Sequence, residues 1–139
     1  MKTILISLLF ISQTIFACWA DVPLEEIIKE NHFIITGQII KLELETPSKT
    51  DGYPMNIATI KVSKILKNKL PIPFKTNDEI KLKTPSKHII STNIVYTLNT
   101  NGVWILENKD GYFYATYPKD FQSVDKELEI MQIIKKQKP

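Results

Sequence analysis

Arginine is missing altogether: all eighteen cationic side chains are lysines, set against fifteen acids, for a formal charge of +3. A lysine-only surface this close to neutral implies no nucleic-acid partner, because such a partner would call for a strongly basic face. Cysteine occurs once, at Cys18, which rules out any disulfide within the chain. Histidine occurs twice, at His32 and His88, too few to build a structural zinc site, and no cofactor is expected. There is no Gly-x-Ser-x-Gly elbow, phosphate loop, dinucleotide fingerprint or zincin helix. No Asn-x-Ser/Thr sequon occurs either. At 43% hydrophobic and 24% charged, the composition excludes the disordered and fibrous classes and leaves a globular core within reach.

What is present begins with an export pattern. Lys2 precedes an apolar run from Ile4 to Phe16, broken only by Ser7, Ser12, Gln13 and Thr14, and a polar stretch begins at Asp21. The run falls short of the roughly 20 apolar residues of a spanning helix, so residues 1–20 are expected to be a signal peptide and 21–139 one domain. Two processing routes stay open. Cys18 and Ala20 place small residues where ordinary signal peptidase needs them, leaving Asp21 first. Ile15-Phe16-Ala17-Cys18 resembles a lipobox, in which Cys18 would carry a diacyl anchor. The expected location is periplasmic or secreted, with membrane attachment only through a lipid on Cys18. After ordinary cleavage the balance is 17 Lys against 15 acids, or +2.

Asp21 stands as an N-cap, Glu25 and Glu26 complement the dipole, and Leu24, Ile27 and Ile28 share a face, so a short helix ending near Asn31 is predicted. From Phe33 the period becomes two. Phe33 to Ile40 is apolar on both faces, with Gly37 marking a bend; beyond it Ile40, Leu42 and Leu44 alternate with Lys41, Glu43 and Glu45. A loop over 46–54 leads to a second strand with Ala58, Ile60, Val62 and Leu66 inward. Residues 68–77, with Pro71 and Pro73, cannot be an interior strand, and Ile72 and Phe74 are expected to anchor them. Ile80 and Leu82 mark a third strand, 86–92 a polar loop, and Asn93 to Leu98 a short strand. Two β-favouring runs, Val103 to Glu107 and Tyr112 to Tyr117, flank a four-residue Asn108–Gly111 loop. Ser123 reads as the cap of a C-terminal helix whose face is traced by Val124, Leu128, Met131 and Ile134, with Ile130 and Ile133 widening it. The fold class is mainly β: a five-stranded, partly open barrel with an N-terminal and a C-terminal helix.

Candidate chemistry is sparse. Glu25/Glu26, Glu43/Glu45 and Asp78/Glu79 read as solubilising charge, since glycoside chemistry needs carboxyls facing across a cleft. His32 and His88 read as capping or exposed residues, and the lysine runs 61/64/67/69 and 81/83/87 as solvated. The aromatic residues Trp104, Tyr112 and Tyr114 admit two readings, a stacking surface for a glycan or peptide and cross-strand packing. Tyr53, between Gly52 and Pro54, is the candidate exposed contact. These residues lead to a non-enzymatic, monomeric binding domain for a protein or glycan ligand. A small secreted hydrolase and a lipid-anchored envelope component are the rivals.

Phe33 to Ile40 with its central Gly37, Ala58 to Leu66 with Lys67 after it, Glu79 to Pro85 and Gly102-Val103-Trp104-Ile105-Leu106 together resemble an oligonucleotide/oligosaccharide-binding (OB) barrel. In particular they are similar to the netrin-like module of tissue inhibitors of metalloproteinases and to small exported bacterial proteins of that build. The resemblance implies an extracytoplasmic binding module with contact loops at 46–54 and 86–92. In the inhibitors an N-terminal cysteine chelates the protease zinc; Cys18 would stand there only after cleavage at Ala17, and it has no second cysteine to hold it.

Overall fold

The computed structural model describes residues 22–45, 55–85, 95–115 and 118–138. The readings at Cys18, Asp21, Tyr53 and His88, and those for the loops 46–54 and 86–92, lie outside these residues. Helix α1 spans Leu24–Glu30 and buries Ile28. It is capped by backbone: the Pro23 carbonyl accepts from the amides of Glu26 and Ile27 at 3.1 and 3.2 Å. Asn31 turns extended and sends its side-chain amide back to the Ile27 carbonyl at 2.8 Å, which ends the helix. Lys67 Nζ donates to the Ile28 carbonyl at 2.6 Å, placing a cation at the negative end of the dipole. Seven residues do not hold a helix alone, so packing of Ile28, worth about 2 kcal/mol, has to hold this one.

The strands are β1 (Phe33–Glu45), β2 (Met55–Asn68), β3 (Glu79–Pro85), β4 (Asn101–Lys109), β5 (Tyr112–Tyr114) and β6 (Phe121–Gln122). Five of them close into a barrel in the order β1-β2-β3-β5-β4-β1, antiparallel except at β3–β5, whose parallel seam is two residue pairs long. The expected barrel with two flanking helices is present, and Ile60, Val62, Ile80 and Leu82 all point into it.

Two cores share the strands. Inside the barrel lie Phe33, Ile35, Ile39, Ala58, Ile60, Val62, Ile80, Leu82, Tyr96, Trp104, Leu106 and Phe113. Outside, under the helices, lie Ile34, Val103 and Ile105 with Ile28, Ile130 and Ile134. The uninterrupted apolar runs of β1 and β4 arise because alternate residues serve different cores.

Register slips bend the long hairpin. Ile65 and Val62 of β2 face Ile35 and Gly37 of β1, so Leu66 and Ser63 are extra residues on β2, while Ile40 is the extra residue on β1. Each bulge inverts the inward–outward phase of the strand beyond it. Ile65 therefore joins the barrel core and Leu66 packs beneath the helices, the reverse of strict alternation from Val62. In the same way Ile39 turns inward and Ile40 is exposed, while Leu42 is half-buried and Leu44, past the barrel rim, is 74% exposed.

Other boundaries move for local reasons. The β4–β5 loop is two residues, not four: Asp110 and Gly111 both have positive φ (55° and 81°), the conformation of a tight hairpin turn, so Lys109 pairs with Tyr112. Residues 95–98 form no strand; Tyr96 is buried, and a turn closes with the Thr100 amide on the Thr97 carbonyl at 3.2 Å. Ser123 leads a 3-10 turn, Val124–Lys126, before helix α2 at Glu127–Gln137. The buried face of α2 is Ile130 and Ile134 with Ile133 beside them, while Val124, Leu128 and Met131 face solvent. At its start Glu127 meets Lys64 of β2 at 2.8 Å.

Candidate functional site

Phe113 points into the barrel, and alternation therefore turns its neighbours Tyr112 and Tyr114 outward, where both are half-buried. Across the parallel seam Lys83 stands level with Tyr114, and its Nζ sits 4.4 Å from the centre of the Tyr112 ring, a cation–π contact. On the other side Glu107 and Lys109 of β4 lie opposite Tyr114 and Tyr112. Lys83 is opposite Ile57 of β2, and Lys81 is opposite Thr59. Glu43 and Lys41 of β1 complete the two rows. The outer faces of these residues form a strip that curves round the barrel and is interrupted on β2, where Thr59 is buried. It carries two phenol rings among lysines, with Glu43 and Glu107 at its edges. Such a strip can lay flat rings on a sugar or peptide and hydrogen-bond its polar groups.

Trp104 does not belong to this strip. It is 0% exposed, inside the barrel, with its Nε1–H donated to the Gly37 carbonyl at 2.9 Å. Tyr96 and Phe121 pack on it at 5.0 and 4.6 Å between ring centres. The indole has no face left for a ligand, so the stacking role considered for it is replaced by a core role. A second aromatic triad, Phe33, Phe74 and Phe113, lies at 4.9 to 5.7 Å; Phe74 does anchor the proline-containing segment, while Ile72, expected to do the same, is exposed. Sequence reading missed Lys83 as a partner of Tyr112, since nothing in the sequence announces a parallel β3–β5 seam. It likewise missed Tyr96 and Phe121.

Electrostatic perturbation falls at the β1 edge of the strip, beside α1 and in the barrel core. Lys41 and Glu43 meet at 2.8 Å; the shared hydrogen bond and charge raise the lysine pKa and lower that of the carboxyl. Both are exposed, and the pair contributes little to stability. Burial lowers the Lys67 pKa. Tyr96 is the largest case: burial, and then the charge of buried Asp120, push its phenol well above the ordinary range. Among the described residues its hydroxyl has no hydrogen-bond partner.

Two results are expected at Tyr96. Tyr96→Phe removes an unsatisfied buried hydroxyl and should be neutral or stabilising by up to about 1 kcal/mol in urea unfolding. Because the folded pKa lies above the unfolded one, the contribution of Tyr96 is intact below about pH 10 and is lost as pH rises beyond it, where only the unfolded chain releases the proton. The wild type should therefore lose stability more steeply than Tyr96→Phe above that pH; parallel curves would contradict the assignment.

Among the described residues no three His, Cys, Asp or Glu side chains cluster as metal ligands, and no helix is long and apolar enough to cross a membrane. No family model matches the chain, and no curated protein matches it.

Proposed function

We infer that the chain is a non-enzymatic binding domain acting outside the cytoplasm, and that it takes a glycan or an extended protein segment on the outer strip of β3 and β5. The observation that carries this reading is the placement of Tyr112 and Tyr114 side by side on the outer face, with Lys83 held over one ring. Half-buried tyrosines are rigid and offer contact area at small entropic cost. The strand order, with β1 pairing β4 and β3 parallel to β5, supports the resemblance to OB barrels, whose β2–β3 face is a recurrent ligand surface. The apolar run before Asp21 supports export.

Titration with chito-oligosaccharides and with extended peptides, monitored by amide chemical shifts, tests the site. Shifts should centre on Lys83, Tyr112 and Tyr114, and Tyr112→Ala/Tyr114→Ala should weaken binding by about tenfold or more with the fold unchanged. Shifts confined to another face, or an affinity indifferent to the double variant, would reject this surface.

A lipid-anchored form is the second reading, favoured by Ile15-Phe16-Ala17-Cys18. Intact mass of the exported protein separates the two: a diacylated Cys18 at the start supports anchoring, and Asp21 at the start removes it.

A further inference from the structure

Leu128 and Met131 of α2, and Val124 in the 3-10 turn that leads into it, are apolar yet 73%, 44% and 46% exposed. Spacings of four and three stack them along one side of the C-terminal segment. That side is rotated by about 120° from the Ile130/Ile134 face that packs on the barrel. The stripe therefore lies to one side of the core contact rather than continuing it. Lys135 and Lys138 extend it by a turn and then nearly another.

The acids of the segment itself are already engaged. Glu127 is held by Lys64 at 2.8 Å, Glu129 by Lys126 at 3.4 Å, and Asp125 accepts the Ser123 hydroxyl. Among the described residues no carboxylate pairs with Lys135, Lys136 or Lys138. An apolar stripe running into uncompensated cations suits one kind of surface above others, a bilayer with anionic headgroups. A second copy fits less well. The three side chains offer on the order of 300 Å², against about 800 Å² per partner in stable complexes, and the lysines would repel each other.

We propose that the C-terminal segment, α2 with the turn before it and Lys138 after it, is a peripheral membrane-docking element, laying Val124, Leu128 and Met131 into the headgroup–acyl boundary of an anionic lipid surface while Lys135 and Lys138 meet the phosphates. This goes beyond a lipid on Cys18 as the sole route to a membrane, and it does not depend on the ligand strip. A stripe this short gives reversible, salt-sensitive adsorption, which a second attachment would strengthen.

The test uses the full chain with Cys18→Ser and one new cysteine carrying an environment-sensitive nitrobenzoxadiazole label, at Leu128→Cys or, about 100° round the helix and off the stripe, at Glu129→Cys. With vesicles of equal parts phosphatidylglycerol and phosphatidylcholine, the label at position 128 should shift to the blue and brighten several-fold, while that at 129 stays as in water. Pure phosphatidylcholine should leave both unchanged, and Lys135→Glu/Lys138→Glu should weaken the response at 128 by about tenfold or more. Because each probe reads only its own surroundings, attachment through another segment leaves both dark, and that result overturns the proposal. So does an equal response at 128 and 129. A brightening at 128 that needs no vesicles and grows with protein concentration would mean a second copy covers the stripe instead.

Discussion

Gly102→Ala is expected to cost about 3 kcal/mol in urea-induced unfolding, and more if β6 detaches entirely. Gly102 lies directly across β1–β4 from Gly37, and β6 crosses its other side. A methyl group there would fall 2.4 Å from the Gln122 carbonyl oxygen and 2.5 and 2.6 Å from two carbons of the Phe121 ring. No rotamer relieves contact with a backbone oxygen, so β6 would have to move away. That movement would break the Val103–Gln122 and Trp104–Phe121 pairing and lift Phe121 off the indole. Two of the three clashing atoms belong to a side chain, and this gives a second measurement. Phe121→Ala costs stability by itself, but placed with Gly102→Ala it should cost less than the two changes summed, since one obstacle to the methyl has gone. Strict additivity, or a Gly102→Ala protein within about 1 kcal/mol of wild type, would mean β6 does not press on this glycine.

How much of this fold was legible in the sequence depends on the range of the cause. Inward placement of Ile60, Val62, Ile80 and Leu82 comes from local alternation, and so does two-sided burial of Phe33 to Ile40. Asp110-Gly111 announced a hairpin, though not that both residues would take positive φ and shorten the loop. Gly37 marked the slip opposite Ser63, but phase was lost at Leu66 and at Ile40, because those bulges answer the curvature of a closed barrel and not any nearby residue. The rotation of α2 was illegible for a similar reason: Ile130, Ile133 and Ile134 pack with Ile34, Val103 and Ile105, residues of strands far away in the sequence. In the candidate site, Tyr112 and Tyr114 were visible as aromatic residues, but their outward direction rests on Phe113 facing the core, and Lys83 joins them only through the parallel seam. Parity also decided Trp104. In the run Val103 to Leu106 every residue is apolar, and the pattern gives no sign of which pair enters the barrel.

Trp104 separates a core role from a ligand role by free energy. Trp104→Ala is expected to cost about 4 kcal/mol or more, a large share of the roughly 5–15 kcal/mol that holds a typical domain together. The loss has sources that can be told apart. The indole fills the barrel interior between Tyr96 and Phe121, at 5.0 and 4.6 Å, and its removal opens a cavity that neither ring can fill without leaving its own contacts. Its Nε1–H is also the donor to the Gly37 carbonyl, at the position where β1 and β4 cross as a pair of glycines. Trp104→Phe keeps most of the volume and removes the donor, so it should cost about 2 kcal/mol, chiefly the penalty of an unsatisfied buried carbonyl. The remainder of the alanine loss is then packing. A ligand platform would behave in the opposite way: both variants would unfold near the wild-type denaturant midpoint, and any ligand captured by the wild type would be lost. Unfolding midpoints that fall in the order wild type, Trp104→Phe, Trp104→Ala would instead assign the indole to the barrel interior. The outer strip of Tyr112, Tyr114 and Lys83 would then be the aromatic surface open to a partner.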